Sequence, residues 1–321
     1  MAVYTALADE EIREFLSAYD LPPLAQAEGI RAGVENTNYL LTMQDGVRYI
    51  LTLFEKRVNE ADLPFFAGLM ERLAQAGVPC PSPLHARDGT LIRRVKDRPA
   101  LIVTFLEGKS ISGIQNPHMS ELGAYMARMH MAGQGYELKR ANALSLDGWR
   151  TLLAKVAPRA DEIIPGLASE LQIEMQALEA SWPKALPRGV IHADLFPDNV
   201  FYDGLHKLTG IIDFYFACED FLAYDLAICL NAWCFEKLYD FNITKAQLML
   251  RSYNEVRPLS EEELAALPVL ARGAALRFLL TRAHDWLFRV EGALVTPKDP
   301  MEYVKKLRFH RSVTHHSQYG L

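Results

Sequence analysis

Val190-Ile191-His192-Ala193-Asp194-Leu195-Phe196-Pro197-Asp198-Asn199-Val200 joins two apolar, strand-like ends through a loop of the pattern HxDxxxxN. Phosphoryl transfer to an alcohol needs a carboxylate near the acceptor hydroxyl, to orient it and take its proton. It also needs oxygen ligands for a magnesium ion that bridges the phosphates and offsets developing charge. An Asp followed five residues later by an Asn puts both groups around one loop, Asp194 toward the acceptor and Asn199 toward the metal. A turn rich in Asp and Asn that merely caps a strand has the same composition, so the pattern alone does not separate the two readings.

The second element separates them. Fourteen residues after Asn199, Gly210-Ile211-Ile212-Asp213-Phe214 is an apolar strand ending in an acid followed by an aromatic. A carboxylate at a strand end next to such a loop is where a second metal ligand belongs. The two patterns in this order and spacing point to an ATP-dependent phosphotransferase. A third acid, in Tyr224-Asp225-Leu226-Ala227, opens a helix and suits a cap or a loop brace better than a catalyst.

Working outward, Asp9–Tyr19 carries a helical apolar stripe. Asn38–Met43 and Val47–Phe54 read as strands joined by a hairpin turn at Asp45-Gly46. A helix over Leu63–Gly77 follows, then strands at Thr90–Arg93 and Ala100–Phe105. Beyond Leu106-Glu107-Gly108 the pattern turns helical: a helix starting at Ser120, then Gly148–Val156, Ala168–Ser181, Ala223–Lys237, Thr244–Glu255 and two segments after Ser260. Ser260 with Glu263 forms a capping box, and Pro268 is read as opening a fresh helix. Gly189–Ile191, Val200–Tyr202 and Lys207–Ile212 are the strands of this half. The expectation is an α+β, two-lobed architecture: a β-rich N-lobe over 1–106 that binds the nucleotide, and a mainly helical C-lobe over 107–321 that carries catalysis and the acceptor.

The run from His192 to Ala227 resembles the aminoglycoside phosphotransferase and choline kinase superfamily, which has a protein-kinase-like fold. The resemblance implies Asp194 as catalytic base, His192 as its orienting neighbour, Asn199 and Asp213 as magnesium ligands, and Asp225 as a brace of the catalytic loop. The chain is similar in particular to the homoserine kinases of that superfamily. That similarity runs through Gly33-Val34-Glu35-Asn36-Thr37-Asn38-Tyr39, Leu51–Glu55, Asp62–Phe66, Asp213–Cys218 and Leu230–Glu236. It implies ATP and Mg2+ as cofactors and L-homoserine as the small-molecule partner, on the route to threonine.

On the nucleotide side, Gly33, Asn36, Thr37 and Asn38 are candidates to cover the phosphates, although one Gly is not a GxGxxG loop. Thr52 stands where a protein kinase carries its phosphate-holding Lys. Arg48, on the same face of the strand, is the candidate replacement, with Glu60 or Glu71 as a helix partner. Thr104 and Leu106 are hinge positions whose backbone would meet adenine. On the acceptor side a zwitterion needs charges of both signs. Arg277 and Arg282 are the candidates for its carboxylate, and Asp285 and Glu236 for its ammonium. His130, on an apolar helix face, reads as a satisfied core histidine.

Composition narrows the classes. The 321 residues carry a formal net charge of −6, which gives no general field for nucleic acid or an anionic membrane. Met1–Asp20 holds five acids and does not read as a signal peptide. Apolar runs such as Leu222–Phe235 are too short and polar to span a bilayer. Cys80, Cys218, Cys229 and Cys234 have no metal-type spacing and read as buried thiols of a cytoplasmic protein. The competing readings are another small-alcohol kinase (choline, ethanolamine, methylthioribose or an aminoglycoside), a pseudokinase that binds without transfer, and a metal hydrolase that lacks the clustered His it would need.

Overall fold

The computed structural model describes residues 5–30, 36–55, 58–289 and 297–321. The chain divides into two compact units, Met1–Gly108 with Thr209–Tyr215, and Lys109–Leu208 with Phe216–Leu321.

The first unit opens with α1 (Asp9–Leu16) and continues through β1 (Leu24–Ile30), β2 (Thr37–Met43), β3 (Arg48–Leu53), α2 (Leu63–Gln75), β4 (Arg93–Val95) and β5 (Arg98–Thr104). Its five strands form one sheet in the order β1-β2-β3-β5-β4, antiparallel at each pairing. The β2–β3 hairpin turns at Asp45-Gly46, where Gly46 has φ +84°, a conformation the turn requires and a Cβ disfavours. Ile12, Phe15 and Tyr19 cover Tyr39, Leu41, Leu51, Leu53 and Ile102 in one buried cluster. Strand β1 escapes sequence reading because it is polar: only Leu24 of its seven residues is buried. The strand expected at Thr90–Arg93 forms at Arg93–Val95 instead. Its hairpin turns through Lys96 and Asp97 at φ 47° and 58°, with no Gly to announce it.

The second unit contains α3 (Asn116–Ala132), α4 (Leu146–Val156), α5 (Leu167–Ser181), β6 (Arg188–Ile191) and β7 (Val200–Tyr202). The turn Asp203–Lys207 leads into β8 (Leu208–Ile211), along which the chain re-enters the first unit. Then come β9 (Cys218–Phe221), α6 (Leu222–Trp233), α7 (Ile243–Val256), α8 (Glu261–Leu287) and α9 (Met301–Ser312). β6 pairs antiparallel with β9, from Arg188↔Phe221 to Ile191↔Cys218. The short, acidic β9 gave no strand signal. Helix α3 starts at Asn116, four residues before the expected Ser120.

Pro268 does not open a new helix; it lies inside α8, a single helix of 27 residues. A proline there forfeits one backbone hydrogen bond. The Ser260–Glu263 capping box fixes the start of the helix, with Ser260 N donating to Glu263 Oε2 at 3.1 Å. Burial of Leu267, Pro268, Leu270 and Ala271 then carries it through. By length and composition α8 is apolar enough to cross a bilayer, yet 72% of that window is buried within the protein.

Candidate active site

In the second unit, β6 delivers His192 into a loop held by a fully buried acid. Asp225 of α6 accepts from the backbone N–H of His192 at 2.9 Å and of Ala193 at 2.8 Å. Burial alone would raise its pKa; hydrogen bonding and charge from His130, then His192, outweigh burial and hold it below the usual carboxylate value. His130 Nε2 lies 3.2 Å from Asp225 Oδ2, and its Nδ1 is 2.8 Å from the Tyr253 hydroxyl. Arg257 reaches the same hydroxyl at 3.1 Å and pairs with Glu263 at 3.0 Å. His130 is thus the satisfied core histidine that its helix face suggested, and the brace runs through α3, α6, α7 and α8.

The loop backbone is equally accounted for. Asp194 N donates to His192 Nδ1 at 3.3 Å, Trp233 Nε1 to the Leu195 carbonyl at 2.7 Å, and Phe196 N to the Asp194 carbonyl at 2.9 Å. Asn199 sits at the end of the turn Pro197–Asn199, its Nδ2 donating to the Asp194 carbonyl at 2.9 Å and reaching Asp194 Oδ2 at 3.4 Å. Its amide nitrogen is thereby spent, and its Oδ1 is left with no donor among the described residues. Burial pushes the Asp194 carboxyl upward, opposed by the charges of Arg277, His192 and Lys298. Lys298, 4.0 Å from Asp198 and 5.5 Å from the Phe196 ring, carries no sequence signal that would have marked it.

Of the four acceptor candidates, the structure brings one to this loop. Arg277 is 2% exposed and donates from Nη1 to the Ala193 carbonyl at 2.6 Å. Arg282 pairs with Glu302 at 2.6 Å and lies over the Tyr303 ring. Glu236 lies past the end of α6, in a turn closed by Glu236 N to Asp240 O, and pairs with Lys245 at 2.6 Å. Asp285 is exposed, 3.6 Å from His284. Elsewhere in this unit a cavity of about 520 Å³ lies at the start of β6. Lys139 and Arg188 on its wall are paired with Glu219 and Asp220, also on its wall.

In the first unit, Thr52 is 3% exposed and donates to Asn38 Oδ1 at 2.7 Å, directly across the β2–β3 ladder. Thr37 donates to Glu55 at 2.8 Å, and Asn36 Oδ1 accepts from Glu55 N at 3.3 Å. Arg48 is ion-paired with Glu107, its guanidinium 4.0 Å above the Phe105 ring. Both proposed helix partners are engaged elsewhere, Glu60 with Arg94 and Glu71 with His85 at 2.8 Å. Gly33 lies outside the described residues.

Asp213 follows β8 at φ +65°, a strained conformation of the kind that concentrates at functional sites. The aromatic end of its motif is anchored in the same unit: the Tyr215 ring meets Phe54 at 5.1 Å and Phe66 at 5.7 Å. At the hinge, Thr104 N donates to Ser82 O, while the Leu106 peptide group makes no hydrogen bond among the described residues. Gly210 packs close to it: a Cβ there would come within 2.6 Å of Leu106 Cδ1, the movable end of that side chain, and 3.2 Å of the Pro79 carbonyl oxygen.

A β-rich unit, a helical unit and an Asp loop locked onto a buried acid define a kinase-like phosphotransferase. The chain belongs to the phosphotransferase enzyme family, whose sequence profile matches residues 26–275. It is 58% identical over 322 residues to the homoserine kinase of Rhizobium etli (strain CIAT 652), covering 100% of this chain and 99% of that one. It is 56% identical to the homoserine kinase of Paramagnetospirillum magneticum, with both chains covered fully. Among solved structures it resembles an amicoumacin kinase in complex with AMP-PNP and Ca2+, with TM-score 0.69, 19% identity, and 95% and 92% of the two chains covered. It also resembles a spectinomycin phosphotransferase in complex with ADP, with TM-score 0.67, 13% identity and 98% of each chain covered. These structural likenesses establish the fold.

Proposed function

We infer that the protein is a homoserine kinase: it transfers the γ-phosphoryl group of ATP to the side-chain hydroxyl of L-homoserine, giving O-phosphohomoserine and ADP on the way to threonine. The observation that carries this is full-length identity of 54–58% to relatives named homoserine kinase. The amicoumacin kinase and the spectinomycin phosphotransferase share only the fold, at 19% and 13% identity.

In this reading Asp194 orients the homoserine hydroxyl and takes its proton as the oxygen attacks the γ-phosphorus. His192 holds the Asp194 amide, and Asp225 keeps the loop in place beneath it. The Leu106 peptide group is left for adenine. The segment over 1–106 serves the nucleotide and 107–321 serves catalysis and the acceptor. Asn199 in the second unit and Asp213 in the first are the candidate side-chain oxygens for a divalent metal, Mg2+ in this reading, which would offset charge on the phosphates when bound. This donor set fits, since magnesium is held by one or two side-chain oxygens plus substrate phosphates rather than by a protein cage. The four free, buried cysteines suit a cytoplasmic enzyme.

The pseudokinase reading draws on Thr52 alone, and the intact, braced Asp194 loop opposes it. The test is turnover of ATP with homoserine, with the product identified by phosphorus NMR. O-phosphohomoserine forming in step with ADP is expected. ADP release no faster than without acceptor would overturn the assignment.

A further inference from the structure

Ala193, the residue before the proposed base, is held from two helices. Asp225 of α6 accepts its N–H at 2.8 Å, and Arg277 of α8 donates to its carbonyl at 2.6 Å. Between these grips Ala193 adopts φ +63°. That region is disfavoured for a residue with a Cβ, and it persists only where the surroundings over-determine it.

Arg277 is an expensive residue to keep in this place. It is 2% exposed, its Nε has no hydrogen-bond partner, and among the described residues no carboxylate forms an ion pair with it. Its guanidinium lies 4.6 Å over the Phe278 ring. A buried cation gains less stability than an apolar side chain of similar volume would. Its best hydrogen bond goes to a backbone carbonyl of the catalytic loop, one residue from the base. Asp225 fixes the N–H side of that turn and leaves the carbonyl side to Arg277.

We propose that Arg277 is a positioning residue for the phosphoryl transfer: by fixing the Ala193 carbonyl it holds the left-handed turn that aims Asp194 at the acceptor hydroxyl. This rests on the reading of Asp194 as base, and it separates Arg277 from the recognition of a substrate carboxylate. A positioning role acts on the transition state and lowers kcat, whereas a lost contact to the bound substrate raises KM.

The experiment compares Arg277→Lys and Arg277→Met with the unaltered full chain, by steady-state kinetics on ATP and homoserine and by hydrogen exchange of the peptide spanning residues 192–195. Lysine keeps the charge but not the planar fork that fixes direction. Expected is a kcat lower by roughly 10- to 100-fold, the scale of a misplaced catalytic group. The KM for homoserine should stay within about threefold of wild type. The loop amides should exchange faster, while those of β2 and β3 stay unchanged. Should Arg277→Met fail to fold, Arg277→Lys carries the test.

A KM for homoserine raised about tenfold or more with kcat retained would overturn the proposal and make Arg277 a substrate contact. Loop exchange identical to wild type in the lysine variant would overturn it as well. If the wild-type protein does not phosphorylate homoserine, the functional reading falls, while the exchange comparison still decides whether Arg277 clamps the loop.

Discussion

The two units bury polar side chains of different kinds. In the first, the buried polar residues among those described are Asn36, Thr37 and Thr52, all neutral. In the second they include His130, His192, Asp225, Glu263, Arg277, Lys306 and His310. Burying a charge is costly unless it is paired and hydrogen-bonded, so the second unit accepts a large desolvation cost that the first avoids. Part of that cost falls around one loop, where Asp225 accepts from two backbone N–H groups and Arg277 donates to one carbonyl. Thr52 shows the opposite solution: in place of a cation, an ordinary strand hydrogen bond to Asn38. The difference teaches that the Asp194 loop sits in a charged, hydrogen-bonded frame, while the polar side chains buried in the first unit are neutral.

The largest effect expected from this contrast is at the base. Asp194→Asn should lower kcat roughly 10²- to 10⁴-fold with ATP affinity little changed; near-normal turnover would take Asp194 out of the mechanism. Next come the two frames themselves. Asp225→Ala leaves the His192 and Ala193 amides and His130 without their acceptor, and should cost about 3–5 kcal/mol in urea unfolding. Thr52→Ala removes one neutral hydrogen bond and should cost about 1 kcal/mol. Equal losses in the two variants would erase the comparison.

Acid gives a smaller and more gradual readout. Burial, then the charge of Lys306, depresses His310 from 6.5 to about 3, so the native state keeps it neutral. Unfolded chains protonate it below about pH 6.5, and stability should therefore drain away as pH falls from there toward 3, by on the order of a few kcal/mol in all. His310→Gln should flatten that slope in thermal unfolding followed against pH; an unchanged slope would remove His310 from the acid response. Smallest of all is Arg48→Ala. With the guanidinium committed to an exposed pair with Glu107, the KM for ATP should rise by less than about fivefold, the worth of a surface ion pair. A tenfold or larger rise would make Arg48 the missing phosphate cation.

Much of the second unit's chemistry was legible because it resides in side chains at fixed spacing. Asp194, Asn199 and Asp225 stand in patterns that mark them as candidates, and Asp213, in the first unit, is marked the same way by the apolar strand before it. Tyr253, Trp233 and Arg257 were not legible as parts of the brace, because they reach it from distant helices and carry no local pattern. Arg277 was visible as a charge but not as a clamp: helical spacing says which face a residue shares, not which carbonyl lies opposite. In the first unit, β1 was hidden by its polar edge and β4 by a turn lacking glycine. The structure also shows what sequence left open about Thr52, that its hydroxyl is spent within the sheet.

The central claim is that this charged frame serves a homoserine-specific phosphotransferase, and the most direct measurement is a competition. The purified full-length protein receives ATP, Mg2+ and equimolar homoserine, choline, ethanolamine and methylthioribose, and the phosphorylated products are separated by mass. The account predicts O-phosphohomoserine as the dominant product, with formation abolished in Asp194→Asn. A phosphorylated product drawn mainly from any of the other three alcohols would contradict it.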